Sequence, residues 1–446
     1  FLGAKYFAEL GYEGLYVASM GAQMQATQGG SFQPFLRDLR SNQVVPTATL
    51  AEHGYEVRQR FTAERWADFR RDNAFFVRLD PGYLALIRTD HGYNPSPAWT
   101  AVAQRFASGR RAGHRTAVLL GLIDLALLLL AFGFVWRTYG TDPAMLALLV
   151  FATGYAWRWY WTGGAFLRQD WLAATVIGVC LLRRRRFALA GALLAYAAMV
   201  RVFPLVFLAG PLVQAGRDLL RRRPCQWFAR LAAGFVLAAG LLFAAGSASG
   251  RGAHAWAEFA ANLQKHRRTW LTNNVGLENT LLYGPATYAR KLVDWRQPEP
   301  WLAWQAHMDA LARQRRAWIL AAAALVALLV GRAALAAEPD EAAIFGLALV
   351  FALAPLTCYY WGMLLLVPLR RSGPPPWVAA AALLTLDLGL FATHFLTPAF
   401  EVRYGVMSWG LLLFLLWWLW PWRRPLTAAS AAARSPAARP AAASRL

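Results

Sequence analysis

"TAVLLGLIDLALLLLAFGFVW", residues 116–136, carries a single charged residue, Asp124. A helix of this length rises about 30 Å, the thickness of a bilayer's hydrocarbon core. The stretch "AWILAAAALVALLVG" (317–331) repeats the pattern with no charge, and similar segments recur from residue 115 to 422. Of the 446 residues, 58% are hydrophobic, with 21 Trp and 26 Phe, a composition suited to lipid as the surrounding solvent. The fold class expected is an all-α polytopic membrane protein.

The net charge of +22 raises the question of nucleic acid. Its placement argues against such a partner. The arginines cluster between apolar segments, as "RRRR" (183–186), "RDLLRRR" (217–223), "RR" (370–371) and "RR" (423–424), the positive-inside pattern of cytoplasmic loops. Cys180, Cys225 and Cys358 fall in separate segments with neither disulfide nor zinc spacing.

Putting the basic clusters on one side organises the rest. Residues 1–114 read as a polar, non-cytoplasmic first loop, 115–422 as the multi-pass domain with a long outer loop at 248–316, and 423–446 as a disordered basic tail. Between "RRRR" and "RDLLRRR", one helix over 187–216 would rise about 45 Å and put the clusters on opposite faces. A hairpin breaking at Arg201–Pro204 keeps them together, because Arg and Pro are costly mid-span and tolerable at an apex. The same reasoning splits 342–371 at "APLTCYYW" (354–361). The predicted spans are 115–136, 143–158, 168–182, 187–201, 202–216, 228–247, 317–335, 342–357, 360–370, 377–397 and 403–422. They number eleven, or twelve if a helix precedes Phe1, as an exported first loop would require. The opening "FLGAKYFAELGYEGLY" puts Leu2, Tyr6 and Leu10 on one helical face and Lys5, Glu9 and Glu13 on another, so a helix lying on a surface is expected there.

That opening, "NPSPAW" (94–99), "GGAFLRQDW" (163–171), "VRVFP" (200–204), "KHRRTWLTNNVGL" (265–277) and "LAPLTCYYWGMLLLVP" (353–368) occur in an order that resembles one group. It is similar to the polyprenol-phosphate-mannose-dependent mannosyltransferases of family 87 in the GT-C superfamily, and to their uncharacterised relatives, from residue 1 to about 410. The resemblance implies a GT-C-like bundle in the bacterial inner membrane. It implies transfer of a mannose-like sugar from a lipid-linked phosphate donor to a glycan or glycolipid acceptor at the outer face, usually with inversion. It also implies that the general base is an Asp a few residues before Phe1.

Such chemistry needs a base for the acceptor hydroxyl, cations for the leaving phosphate and an apolar groove for the lipid. In this reading His266 resembles a phosphate-contacting histidine, with Lys265, Asn273 and Asn274 beside it as donors; Arg267 and Arg268 follow it. Arg168 suits a phosphate through its planar fork, with Asp170 to orient it, although capping of a helix explains Asp170 equally well. Arg201, an intramembrane cation at a hairpin apex, calls for an anionic partner. Tyr359 and Tyr360 line the same cleft or anchor the interface. Glu9 and Asp90 are the weaker carboxylate candidates for contact with sugar or acceptor. No DxD motif occurs in an outer loop, "EPDE" (338–341) falls on the cytoplasmic side, no cofactor is identified, and dependence on a divalent metal is left open. An O-antigen ligase or polymerase uses similar lipid donors and remains an alternative. So does a transporter or flippase, with Asp124 and Asp387 as its only span-buried carboxylates.

Overall fold

The computed structural model describes residues 1–420 apart from Ser31, Arg267, Arg268, Pro285 and Ala286. The expected tail and the two arginines after His266 lie outside the described residues.

The chain starts inside a core. Leu2–Lys5 and Phe7–Leu10 are two short helices joined at Tyr6, where a surface helix was expected. Tyr6, Phe7 and Leu10 are fully buried, and Lys5 and Glu9 are buried with them. The polar face survives burial because it is paired. Lys5 Nζ lies 2.7 Å from Asp72 Oδ2, and Arg65 Nε donates to Glu9 at 2.6 Å. Tyr6 and Leu10 pack against α1 (Leu15–Ala26), the hairpin β1 (Phe35–Asp38)/β2 (Gln43–Pro46) and α2 (Ala63–Leu79). Helix α3 (Pro97–Ala107) begins with the Ser96 hydroxyl accepting from the Trp99 amide at 3.2 Å and with Pro97 in its first turn, a start that satisfies an otherwise orphan donor.

The membrane domain follows, with α4 (His114–Tyr139), α5 (Thr141–Thr153), α6 (Asp170–Arg183), α7 (Phe187–Val200), α8 (Ala209–Leu220) and α9 (Gln226–Ser247). The 248–316 loop contributes α10 (His254–His266), the short strand β3 (Asn274–Val275) and α11 (Leu302–Gln314). Then come α12 (Arg316–Leu335), α13 (Gly346–Leu353), strand β4 (Leu356–Thr357), a 3₁₀ helix (Cys358–Leu369), α14 (Pro376–Leu396) and α15 (Phe400–Leu419). The protein is an all-α, multi-pass membrane protein.

Each of the eleven predicted segments coincides with a helical one, but among the described residues only α4, α9, α12, α14 and α15 are long and apolar enough to cross a bilayer. The difference has a packing cause. Helix α6, helix α13 and the 3₁₀ helix are buried along almost their whole length. A helix enclosed by protein need not match the hydrocarbon thickness. The long helices instead expose leucines, among them Leu119, Leu125 and Leu129 on α4 and Leu237 and Leu241 on α9.

The chain does reverse at Arg201, and the 342–371 segment breaks between Leu353 and Cys358. The basic ends meet as the hairpin reading requires. Arg184 Nη2 donates to the Arg137 carbonyl at 2.8 Å, Tyr139 OH to Asp340 at 2.9 Å, the Arg371 amide to Glu341 at 2.7 Å, and Arg217 Nη1 to the Leu335 carbonyl at 2.7 Å. The acidic pair of "EPDE" thus clamps this end. Two glycines set the closest helix approach. A Cβ on Gly191 of α7 would stand 2.0 Å from the Leu231 carbonyl oxygen, and one on Gly234 of α9 1.9 Å from that of Ala188. The two backbones touch, as small residues permit in membranes.

Candidate functional site

At the end opposite the arginine clusters, the segment between α5 and α6 folds back against the bundle. Two carboxylates from long helices hold it through backbone amides. Asp124 of α4 accepts from the Arg168 amide at 2.8 Å and the Gln169 amide at 3.2 Å. Asp387 of α14 accepts from the Tyr155 amide at 2.8 Å. Leu167, at φ 52°, sits in the left-handed region, and its carbonyl accepts from Trp99 Nε1 at 2.9 Å. Strained backbone held this firmly aims the next residue, Arg168.

Arg168 lines a cavity of about 570 Å³ together with Arg201, Asp90, Tyr359, Tyr360 and Phe1. The Arg168 guanidinium lies 4.5 Å from the centre of the Tyr359 ring, which is 4.8 Å from that of Tyr360. Arg168 Nε and Arg201 Nε are buried without a hydrogen-bond partner, and neither guanidinium has an ion-pair partner among the described residues. Asp170 acts on Arg201 only through space. Asp90 is exposed, and its carboxylate has no partner among the described residues.

The remaining expected residues lie elsewhere. Asp170 is buried behind this cavity, where Tyr196 OH donates to it at 2.8 Å. Glu9 is held by Arg65 and is a structural carboxylate. Lys265 donates to the Leu39 carbonyl. Asn274 pairs with Thr357 between β3 and β4, and the Cys358 amide donates to the Asn273 carbonyl at 2.8 Å, so this strand pair ties the 248–316 loop to Tyr359. Asn274 itself is buried, and its carbonyl accepts from Asn279 Nδ2 at 2.8 Å.

His266 is not among the described residues lining the cavity. It packs edge-on against His91 with ring centres 5.5 Å apart. Burial, then His91, Lys265 and Arg37, push its pKa down to about 4, so it is neutral at pH 7 and adds no charge for a phosphate. A folded-state pKa below the unfolded value near 6.5 means the unfolded chain binds more protons between those limits. Stability therefore falls as pH drops from about 6.5 towards 4. His91, lowered in the same sense, adds to the effect. Melting curves in detergent should show this acid sensitivity reduced in His266→Gln; an unchanged pH profile would contradict the assignment.

An apolar groove of about 1090 Å³ runs beside the cavity, lined by Val118, Leu122 and Leu125 of α4 and Leu384, Leu388 and Phe391 of α14. Ala117, Gly164 and Ala165 line both spaces and join them. No family model, curated protein or solved structure matches the chain. The site's own chemistry suits an amphiphile, with an aliphatic tail in the groove and an anionic group beside the two guanidiniums. The groove and the roles of Asp124 and Asp387 were missed in the sequence. A carboxylate bonded to backbone amides leaves no complementary residue type to notice.

Proposed function

We propose that this chain is a membrane glycosyltransferase of GT-C type. It transfers a mannose-like sugar from a polyprenyl-phosphate donor to a glycan or glycolipid at the outer face of the bacterial inner membrane. The observation that carries the reading is the aliphatic groove beside a cavity whose two guanidiniums have no ion-pair partner among the described residues. In the proposed step the acceptor hydroxyl oxygen attacks the anomeric carbon as the bond from that carbon to the phosphate oxygen breaks, inverting the centre. The electron pair leaves on the phosphate, where Arg168 and Arg201 offset the developing charge. The hydroxyl proton passes to a carboxylate. Asp90 is the free one at this cavity. Transport through a carboxylate relay finds less support, because Asp124 and Asp387 are both engaged with backbone amides.

The test is turnover. The purified protein in lipid nanodiscs is given polyprenyl-phosphate mannose and a bacterial glycolipid extract, and release of polyprenyl phosphate is followed by mass spectrometry. Acceptor-dependent release supports the proposal. Neither release nor binding of polyprenyl phosphate, across hexose and pentose donors, would reject it.

A further inference from the structure

A second cavity, of about 610 Å³, adjoins the first, and Asp90 lines both. Its lining differs in kind from the aliphatic groove. Five indoles, Trp161, Trp270, Trp295, Trp301 and Trp304, surround it together with the amide of Asn273. These rings come from three separate parts of the chain and are fixed in place. Trp270 Nε1 donates to Asp309 at 2.8 Å and Trp304 Nε1 to the Thr287 carbonyl at 2.9 Å, while Trp301 packs edge-on against Trp304 at 5.9 Å. Trp161 Nε1 is the exception, buried without a partner among the described residues.

The charge balance identifies the ligand class. The cation on the wall, Arg37, is neutralised by Glu299 at 2.8 Å and also donates to the Thr89 and Asn42 carbonyls. Among the described residues lining the cavity, no unpaired cation thus invites a phosphate, in contrast to Arg168 and Arg201. Flat indoles offer an apolar surface, and an amide, a carboxylate and an unmet N–H offer hydrogen bonds. The volume lies within the range of about 300–1,000 Å³ typical of small-molecule sites. A neutral polyhydroxylated ring, with C–H faces against indoles and hydroxyls towards polar groups, meets all these conditions.

We infer that this tryptophan-lined cavity binds a saccharide, the sugar portion of the acceptor, and presents one of its hydroxyls to Asp90. The acceptor role rests on the transferase reading, whereas saccharide binding does not. The protein, in a detergent without a sugar headgroup, is titrated with free mannose, galactose, glucose, arabinose and the α-linked dimers of mannose and glucose, following tryptophan fluorescence. Polyprenyl phosphate binding is measured in parallel by native mass spectrometry.

At least one of these sugars should saturate the signal. Trp301→Ala should weaken its binding about tenfold or more, as loss of a buried anchor does. Trp161→Phe, which keeps one aromatic ring and removes the pyrrole portion with its N–H, should weaken it about fivefold and guards against misfolding of the first variant. Absence of saturation, or full affinity in both tryptophan variants, overturns the inference while intact polyprenyl phosphate binding would preserve the transferase reading. Sugar binding that needs Trp301, without any binding of the lipid phosphate, would uphold the cavity and remove the transferase.

Discussion

Arg201→Gln is expected to lower transfer from a polyprenyl-phosphate sugar by about 10²-fold or more, the usual cost of losing one preorganised donor to a developing charge. Arg168→Gln should act similarly, since both guanidiniums line the same cavity and both carry a buried, unpartnered Nε. Arg201→Lys should recover only part of the rate, because an ammonium keeps the charge and loses the planar fork. The stability effect should be small. Arg201 has no ion-pair partner among the described residues, but Asp170 acts on it through space and offsets its desolvation, so Arg201→Gln should melt close to the parent chain and is tested in the same preparation. Single-turnover assays with the donor, beside melting curves, separate the two effects. Full activity in both glutamine variants would remove the phosphate site.

Asp72→Ala is expected to destabilise the protein by about 3–5 kcal/mol, the range seen when one partner of a buried ion pair is removed. Asp72 is 1% exposed, and three donors converge on it: Lys5 Nζ at 2.7 Å, Tyr6 OH at 2.8 Å and the Ala112 amide at 2.8 Å. Lys5 keeps a bond to the Arg110 carbonyl at 2.6 Å, so truncating Asp72 strands a buried ammonium beside a second neutral partner. One carboxylate thereby fastens the first helix and α2 to the linker entering α4. Losing it should also reduce activity, since Phe1 lines the cavity and is anchored through Lys5. Asp72→Asn should cost less, because it can still accept from the Ala112 amide and Tyr6. Thermal unfolding in detergent, followed by near-ultraviolet circular dichroism, measures both variants. A melting temperature unchanged in Asp72→Ala would refute the clamp.

The helical scaffold was legible because its signals are local. Uninterrupted apolar runs mark the helices, and Arg201 with Pro204 marks a reversal wherever it falls inside such a run. Arg168, Arg201, Asp90, Tyr359 and Tyr360, read from separate motifs, do line one cavity. What was misread depends on distant partners. Residues 1–10 show a charged face that suggests a surface, but its counter-charges, Arg65 and Asp72, come more than fifty positions later. His266 sits in a basic string that suggests a phosphate ligand, whereas packing on His91 buries it as a neutral ring. The tryptophan cavity draws its rings from residues 161, 270, 295, 301 and 304, with no spacing to reveal it.

The aliphatic groove also has a kinetic consequence. Val118, Leu122, Leu125 and Leu388 on its rim are each about half exposed or more, so its side faces hydrocarbon rather than water. A long-chain substrate would slide in sideways from the leaflet without its headgroup leaving the interfacial plane. Rates would then follow the mole fraction of donor in the bilayer, not its bulk concentration. Diluting the donor with inert phospholipid would slow turnover even when the total amount in the tube is held fixed.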